Sequence, residues 1–268
     1  MKYPIYQVDA FTDRAFAGNP AGVMPLNAWL PDQTLQSIAA EMNLAETAFF
    51  VTTGAGEYHL RWFTPTVEIK LCGHATLASA FVLTRFIDKS LAKMRFDSLS
   101  GPLFVRVDGD RLELDFPLLA FEANKDATIP ARIAAAIGQQ PVDVVVSPVY
   151  DAFLARLPDI ASVRAAVPNF PALEALGRDL IVTADGAGEG VDFVSRFFAP
   201  LHGIPEDPVT GSSHCVLAPY WQQQLGRAQF HARQVSRRSG DLWLNMLGDR
   251  LRIAGHAVCV LRGEIEVN

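Results

Sequence analysis

Glu46 stands in the run Leu44-Ala45-Glu46-Thr47-Ala48-Phe49-Phe50, where nearly every neighbour is apolar. Burial disfavours a charged carboxylate, so such a setting moves its pKa toward neutrality, as a group that both takes and gives a proton requires. An ordinary carboxylate at a helix–strand junction would read the same way in sequence. Two further stretches gather polar and titratable side chains around a glycine: Cys72-Gly73-His74, and Glu206-Asp207 leading to Thr210-Gly211-Ser212-Ser213-His214. A glycine at a helix start lets backbone N–H groups approach a ligand, and the helix dipole adds partial positive charge there. Each start is therefore suited to a carboxylate or a phosphate. His74, His202, His214, Cys72 and Asp207 are of metal-ligating types, but their spacing fits no recognised ligand pattern, so no metal is expected. Cys72 and His74 flank a single glycine, and neighbours so close rarely face each other. With no residue evident to orient the histidine, a thiol–imidazole nucleophile is not favoured.

These residues need elements to hold them. Ile5-Tyr6-Gln7-Val8, Tyr58 to Phe63, and Leu103 to Val107 read as strands, the last turning at Asp108-Gly109-Asp110 into Leu112-Glu113-Leu114. Leu35, Ile38, Ala39 and Met42 follow helical spacing after Pro31-Asp32, with Asp32 as the expected cap, and a strand over Ala48 to Val51 follows. Residues 118 to 129 read as a linker before a helix opened by Pro130, which divides the chain into 1–118 and 119–268, with the last strand free to return to the first half. The second half offers strands near Ile181-Val182-Thr183, Phe193 to Phe198, Leu242-Trp243-Leu244 and Val258-Cys259-Val260, and a helix through Cys215-Val216-Leu217. Arg61-Trp62-Phe63-Thr64-Pro65 ahead of Gly73 matches Arg196-Phe197-Phe198-Ala199-Pro200 ahead of Gly211, the pattern of a duplicated half-domain.

Composition sets the class. At 268 residues, 50% hydrophobic and 19% charged, the chain is globular and long enough for two domains. A net charge of -6 with scattered Lys and Arg leaves no basic stripe for nucleic acid. No apolar run approaches a membrane span and the N-terminus lacks a signal-peptide core, so a cytoplasmic protein is expected. Three cysteines without CxxC spacing indicate neither a disulfide framework nor a zinc knuckle.

In order along the chain, Tyr6-Gln7-Val8-Asp9-Ala10-Phe11-Thr12, Phe16-Ala17-Gly18-Asn19-Pro20-Ala21-Gly22-Val23, Asn43 to Phe50, Arg61 to Pro65, Leu71-Cys72-Gly73-His74-Ala75-Thr76, and Glu206 to Ser212 resemble the signature blocks of the phenazine-biosynthesis (PhzF-like) family. The resemblance implies an α/β (α+β) diaminopimelate epimerase-like fold: two pseudo-symmetric domains, each a curved sheet around a central helix, with the active site between them. It implies a cofactor-independent isomerase that shifts a proton on a small carboxylate-bearing substrate, as in the isomerisation of a dihydro-hydroxyanthranilate. Glu46 matches the acid/base, His74 and Asp207 its polar partners, and Asn19, Gly73, Gly211 and Ser212 the substrate contacts. A homodimer is implied as well. Lys70 departs from the family pattern, which often has an acidic residue there, and is expected on the surface. The same fold serves racemases that use two opposed thiols. Cys72 resembles the first, but no cysteine opens the second helix, so a two-base amino-acid racemase or epimerase is the alternative, beside a non-catalytic small-molecule-binding protein.

Overall fold

Period-two runs of β-branched and aromatic residues make this chain mostly sheet, and a computed structural model describes residues 1–267 of it. Two compact units form, one from Met1–Asp115 together with the chain from Ile253 onward, the other from Phe116–Arg252.

In the first unit, β1 (Lys2–Ala10) pairs antiparallel with β2 (Asn19–Leu26), and β2 runs parallel to β3 (Glu46–Gly54). β3 turns back onto β4 (Glu57–Phe63), which pairs antiparallel with the short β5 (Glu68–Ile69) and parallel with β6 (Lys93–Ser98). β6, β7 (Gly101–Asp108) and β8 (Arg111–Pro117) close the sheet as an antiparallel meander. Each parallel pair needs a crossover, supplied by α1 (Asp32–Met42) and α2 (Gly73–Val82). α1 buries Leu35, Ile38 and Ala39 along one stripe, as its periodicity predicts. α2 is buried from His74 through Ala80 and again at Val82, so it is the central helix. Its Ala, Ser and Thr side chains let β1, β2 and β3 pack closely around it. Asp32 does not cap α1: Pro31 is the N-cap, and the Asp32 carboxylate accepts a hydrogen bond from Arg61 at 2.8 Å instead.

The second unit repeats this plan. After β9 (Glu122–Ala123), α3 (Ile129–Ile137) and β10 (Asp143–Ser147), β10 pairs antiparallel with β11 (Ala152–Arg156). β11 runs parallel to β12 (Asp179–Asp185) across the short helices α4 (Ile160–Ala165) and α5 (Phe170–Glu174). β12 pairs antiparallel with β13 (Phe193–Ala199), which takes β14 (Ile204–Asp207) antiparallel and, across α6 (His214–Leu225), β15 (Gln229–Gln234) parallel. β16 (Gly240–Leu247) returns antiparallel to β15. β17 (Arg250–Gly255) then leads back to the first unit, where β18 (Ala257–Glu266) pairs with β1. The segment 118–129, read as a linker, contains β9, whose Glu122 and Ala123 pair with Val146 and Val145.

The duplication reaches side chains. Arg61 on β4 grips Glu68 on β5 through two hydrogen bonds of 2.7 and 2.8 Å, and Arg196 on β13 grips Glu206 on β14 at 2.7 and 2.9 Å. These bidentate pairs explain why Arg recurs in both motifs. They also give Glu206 a structural use, separating it from the titratable group that surrounds Gly211 in sequence. α6 is the second central helix, buried from His214 to Ala218 and at Tyr220 and Trp221. Pro219 lies inside it and cannot donate to Cys215, so the carbonyl of Cys215 takes the N–H of Leu119 at 3.0 Å.

Candidate active site

Glu46 is the first residue of β3, opposite Ala21 of β2, and only 7% exposed. α1 ends just before it on Asn43 in the left-handed conformation, a common way to stop a helix. Across the start of α2, the His74 Nε2 atom lies 3.0 Å from Glu46 Oε2. The approach is off the line of a good ring N–H hydrogen bond, and both atoms are left without a hydrogen-bond partner. Cys72 is the N-cap of α2, with extended backbone angles that turn its side chain back, and its Sγ lies 3.5 Å from Nδ1 of His74. The expectation that these two side chains would not face each other is therefore corrected. One residue is in the helix and the other is outside it, so helical spacing does not govern the pair. Glu46 is the carboxylate beside the imidazole that sequence spacing did not disclose.

Electrostatics follow from this packing. Burial alone would lower the pKa of His74, but Cys72 and the Glu46 carboxylate beside it more than reverse that, holding the imidazole well above its ordinary range. Burial pushes the Cys72 thiol up, and the Glu46 charge adds to it. With the thiol protonated, the Glu46 carboxylate is the charge that matters to His74. The donor atoms of Glu46, Cys72 and His74 all lie within 4.8 Å of one another, a set of metal-ligating types that the sequence did not single out. The N-terminus of α2 places positive partial charge beside them, which favours the Glu46 carboxylate and opposes a bound metal cation. Asn19, the first residue of β2, is fully buried. It follows Gly18, whose φ of +64° and 2.2 Å approach of an added Cβ to the Ala10 carbonyl oxygen admit no other residue without strain. Lys70 is exposed, as expected.

In the second unit, Asp207 ends β14, and its Oδ2 accepts a hydrogen bond of 2.5 Å from the Thr210 hydroxyl. Gly211 and Ser212 form a turn ahead of α6, which begins at His214, so the second glycine opens the approach to the helix and not the helix itself. Ser212 Oγ lies 2.8 Å from the Tyr150 hydroxyl. His214 is fully buried, donates from Nδ1 to the Thr210 carbonyl at 2.8 Å, and is lowered to about 4 by burial, so it is neutral and structural. His202 is 67% exposed. Two residues that sequence reading passed over build this loop. Tyr150 holds Ser212, and the fully buried Gln234 accepts from the Thr210 N–H at 2.8 Å while donating to the Asp207 carbonyl at 2.7 Å and the Thr210 hydroxyl at 3.2 Å. Neither lies in a recognisable motif. Cys215 is inside α6, and burial pushes its thiol up to about 12.

Comparison with known proteins agrees with this architecture. An uncharacterized isomerase of Pseudomonas aeruginosa is 48% identical over the whole of both chains, and a phenazine biosynthesis-like domain-containing protein of mouse is 42% identical over 99% of each. The crystal structure of a PhzF-family phenazine biosynthesis protein of Enterococcus faecalis is 42% identical, covers both chains fully and superposes with a TM-score of 0.94. A hydroxyproline epimerase of Agrobacterium vitis, 10% identical over 98% of this chain and 92% of its own, shares the fold at a TM-score of 0.56. The phenazine biosynthesis-like protein model (PhzC-PhzF) matches residues 8–263, and the chain belongs to that family.

Proposed function

We propose that this protein is an isomerase that moves a proton on a small carboxylate-bearing substrate, with Glu46 taking the proton from carbon and returning it. The observation that carries the reading is the buried Glu46 carboxylate, whose Oε2 lies 3.0 Å from His74 Nε2 without being hydrogen-bonded to it. A carboxylate so placed can accept a proton from carbon, with the His74 imidazole beside it. As the proton leaves carbon, negative charge spreads onto the substrate's carbonyl or carboxyl oxygens. The N-terminus of α2 at Gly73 and the charged His74 are arranged to stabilise that charge without reorganising. We assign Asn19, Gly73, Gly211 and Ser212 to substrate contacts and Asp207 to an orienting role. Proton removal and return leave the substrate's oxidation state unchanged, so the chemistry asks for no cofactor. The reading includes a cytoplasmic homodimer. Names of relatives support the class: the Pseudomonas aeruginosa protein is called an isomerase.

The test is deuterium incorporation from heavy water into a dihydro-hydroxyanthranilate and a panel of amino and hydroxy acids, followed by proton NMR. Glu46→Gln should abolish incorporation into at least one of these probes while leaving the fold and ligand affinity largely intact. Incorporation at the wild-type rate in that variant would show that Glu46 is not the base. Inversion at an amino-acid α-carbon would point instead to the racemase reading.

A further inference from the structure

The duplication gives Glu46 a counterpart. Glu46 opens β3 opposite Ala21, and the next residue, Thr47, pairs with Phe63 of Arg61-Trp62-Phe63. Asp179 opens β12 opposite Ala152, and the next residue, Leu180, pairs with Phe198 of Arg196-Phe197-Phe198. Asp179 thus holds in the second unit the place that Glu46 holds in the first, and both residues are 7% exposed. Its Oδ1 has no hydrogen-bond partner, and its Oδ2 lies 3.5 Å from Nε2 of His202. A buried oxygen left unpartnered is destabilising, and the structure alone gives no reason to bear it.

The turn that carries Tyr150 runs beside Asp179, whose N–H donates to the Asp151 carbonyl at 3.2 Å. Ser212 follows Gly211 as His74 follows Gly73, so it is the counterpart of His74. The Tyr150 hydroxyl is 2.8 Å from Ser212 Oγ. Burial holds this phenol protonated, reinforced by negative charge from Asp207 and Asp179. A protonated phenol can donate to Ser212, leaving the serine hydrogen for a ligand. The charged groups around Asp179 are His202, Asp151 and Arg178, the last two paired with each other.

We infer that Asp179 is a second proton-transferring carboxylate of this protein, acting on a small carbon acid whose carbonyl or carboxylate oxygen is hydrogen-bonded by Ser212. The inference rests on the proton-transfer reading above. In the step, a C–H bond breaks, its proton bonds to the unpartnered Asp179 oxygen, and the electron pair stays with the substrate as an enolate. The return step breaks that O–H bond and forms C–H again, with no oxidant or reductant involved.

The deuterium experiment with the same dihydro-hydroxyanthranilate and acid panel tests it on the full chain. Asp179→Asn should lower incorporation into at least one of these probes at least 100-fold per folded molecule, and Asp179→Glu should restore part of it, whereas a purely structural aspartate would change melting but not incorporation. Burial, opposed by His202 and aided by Asp151, pushes the Asp179 carboxyl up to about 6, so wild-type incorporation should rise through that pH. His202→Gln, an exposed change that removes the opposing charge, should move the rise to higher pH. It keeps the test open should Asp179→Asn fail to fold, and an unmoved rise overturns the inference. Wild-type incorporation in Asp179→Asn, with Glu46→Gln inactive, overturns this inference alone. The reverse pattern overturns the Glu46 reading alone and leaves Asp179 standing. No incorporation by the wild-type protein into any of these probes overturns both.

Discussion

Gln234 should be the most sensitive position outside the acid/base groups. It is fully buried, and one amide secures the Asp207–Thr210 loop through an accepted bond of 2.8 Å and donated bonds of 2.7 and 3.2 Å. Gln234→Leu keeps the volume and deletes all three. The Thr210 N–H and the Asp207 carbonyl then lose their partner, at about 1–3 kcal/mol for each group that stays dry. Thr210 is 7% exposed and bears the full penalty, whereas Asp207 is half-buried and water can replace part of its bond. The loss should be about 3 kcal/mol, or a fall of roughly 6–12 °C in Tm for a chain of this size. Gln234→Glu separates the bonds from the packing, because it keeps the acceptor for Thr210 but turns a carboxylate toward the Asp207 carbonyl. Burial raises the folded-state pKa of that new glutamate, so its protein should be most stable below about pH 4.3 and lose stability as pH rises through the raised value. Thermal melts across pH supply the comparison. A Gln234→Leu protein melting within 2 °C of wild type would refute the claim that this amide holds the loop.

Gly18→Ala should cost at least about 2 kcal/mol, read by urea unfolding, since its φ is +64° and the new Cβ would lie 2.2 Å from the Ala10 carbonyl oxygen. Iodoacetamide should modify the half-buried Cys259 well before the buried Cys72 and Cys215, whose thiols burial holds protonated; peptide mass spectrometry gives the order. His74 has a folded-state pKa above the unfolded value of about 6.5, so its stabilisation is fully present below that pH and is lost as pH rises through the folded value. Glu46→Gln should flatten this slope, measured as Tm against pH from 6 upward. Cys72→Ser should lower turnover by no more than a few-fold, because a protonated, buried thiol takes no proton at neutral pH.

Much of this was legible because local pattern and tertiary role agree. The apolar surroundings of Glu46 predicted burial, helical spacing predicted the buried face of α1, and the two Arg-aromatic-Phe motifs turned out to lie on matching strands with matching Arg–Glu forks. What stayed hidden depends on residues distant in sequence or on one backbone angle. Asp32 looked like a cap until Arg61, on β4 two strands further along the chain, claimed its carboxylate. Cys72 faces His74 only because the N-cap is extended, and no periodicity reports that. Tyr150, in the turn between β10 and β11, and Gln234, at the end of β15, look ordinary until the fold brings Ser212 and Thr210 to them.

The comparison of the two halves also separates the acid/base reading from a two-thiol one. Glu68 precedes Gly73 by the same interval as Glu206 precedes Gly211, which places Thr210 as the counterpart of Cys72. Thr210 spends its hydroxyl on the Asp207 carboxylate at 2.5 Å, so no thiol, and no free nucleophile, stands at that position. The nearest thiol, Cys215, is buried in α6 and pushed up to about 12, far from a thiolate at neutral pH. A mechanism with a thiol from each half would therefore have one base missing and the other, Cys72, held protonated by burial and by the charge of Glu46. Carboxylates, by contrast, open the equivalent strands of both halves, at Glu46 and at Asp179. The duplicated scaffold has kept its strand register and its Arg–Glu forks, and where a two-thiol enzyme would carry sulfur at two helix starts, this chain carries carboxylate oxygen at two strand starts.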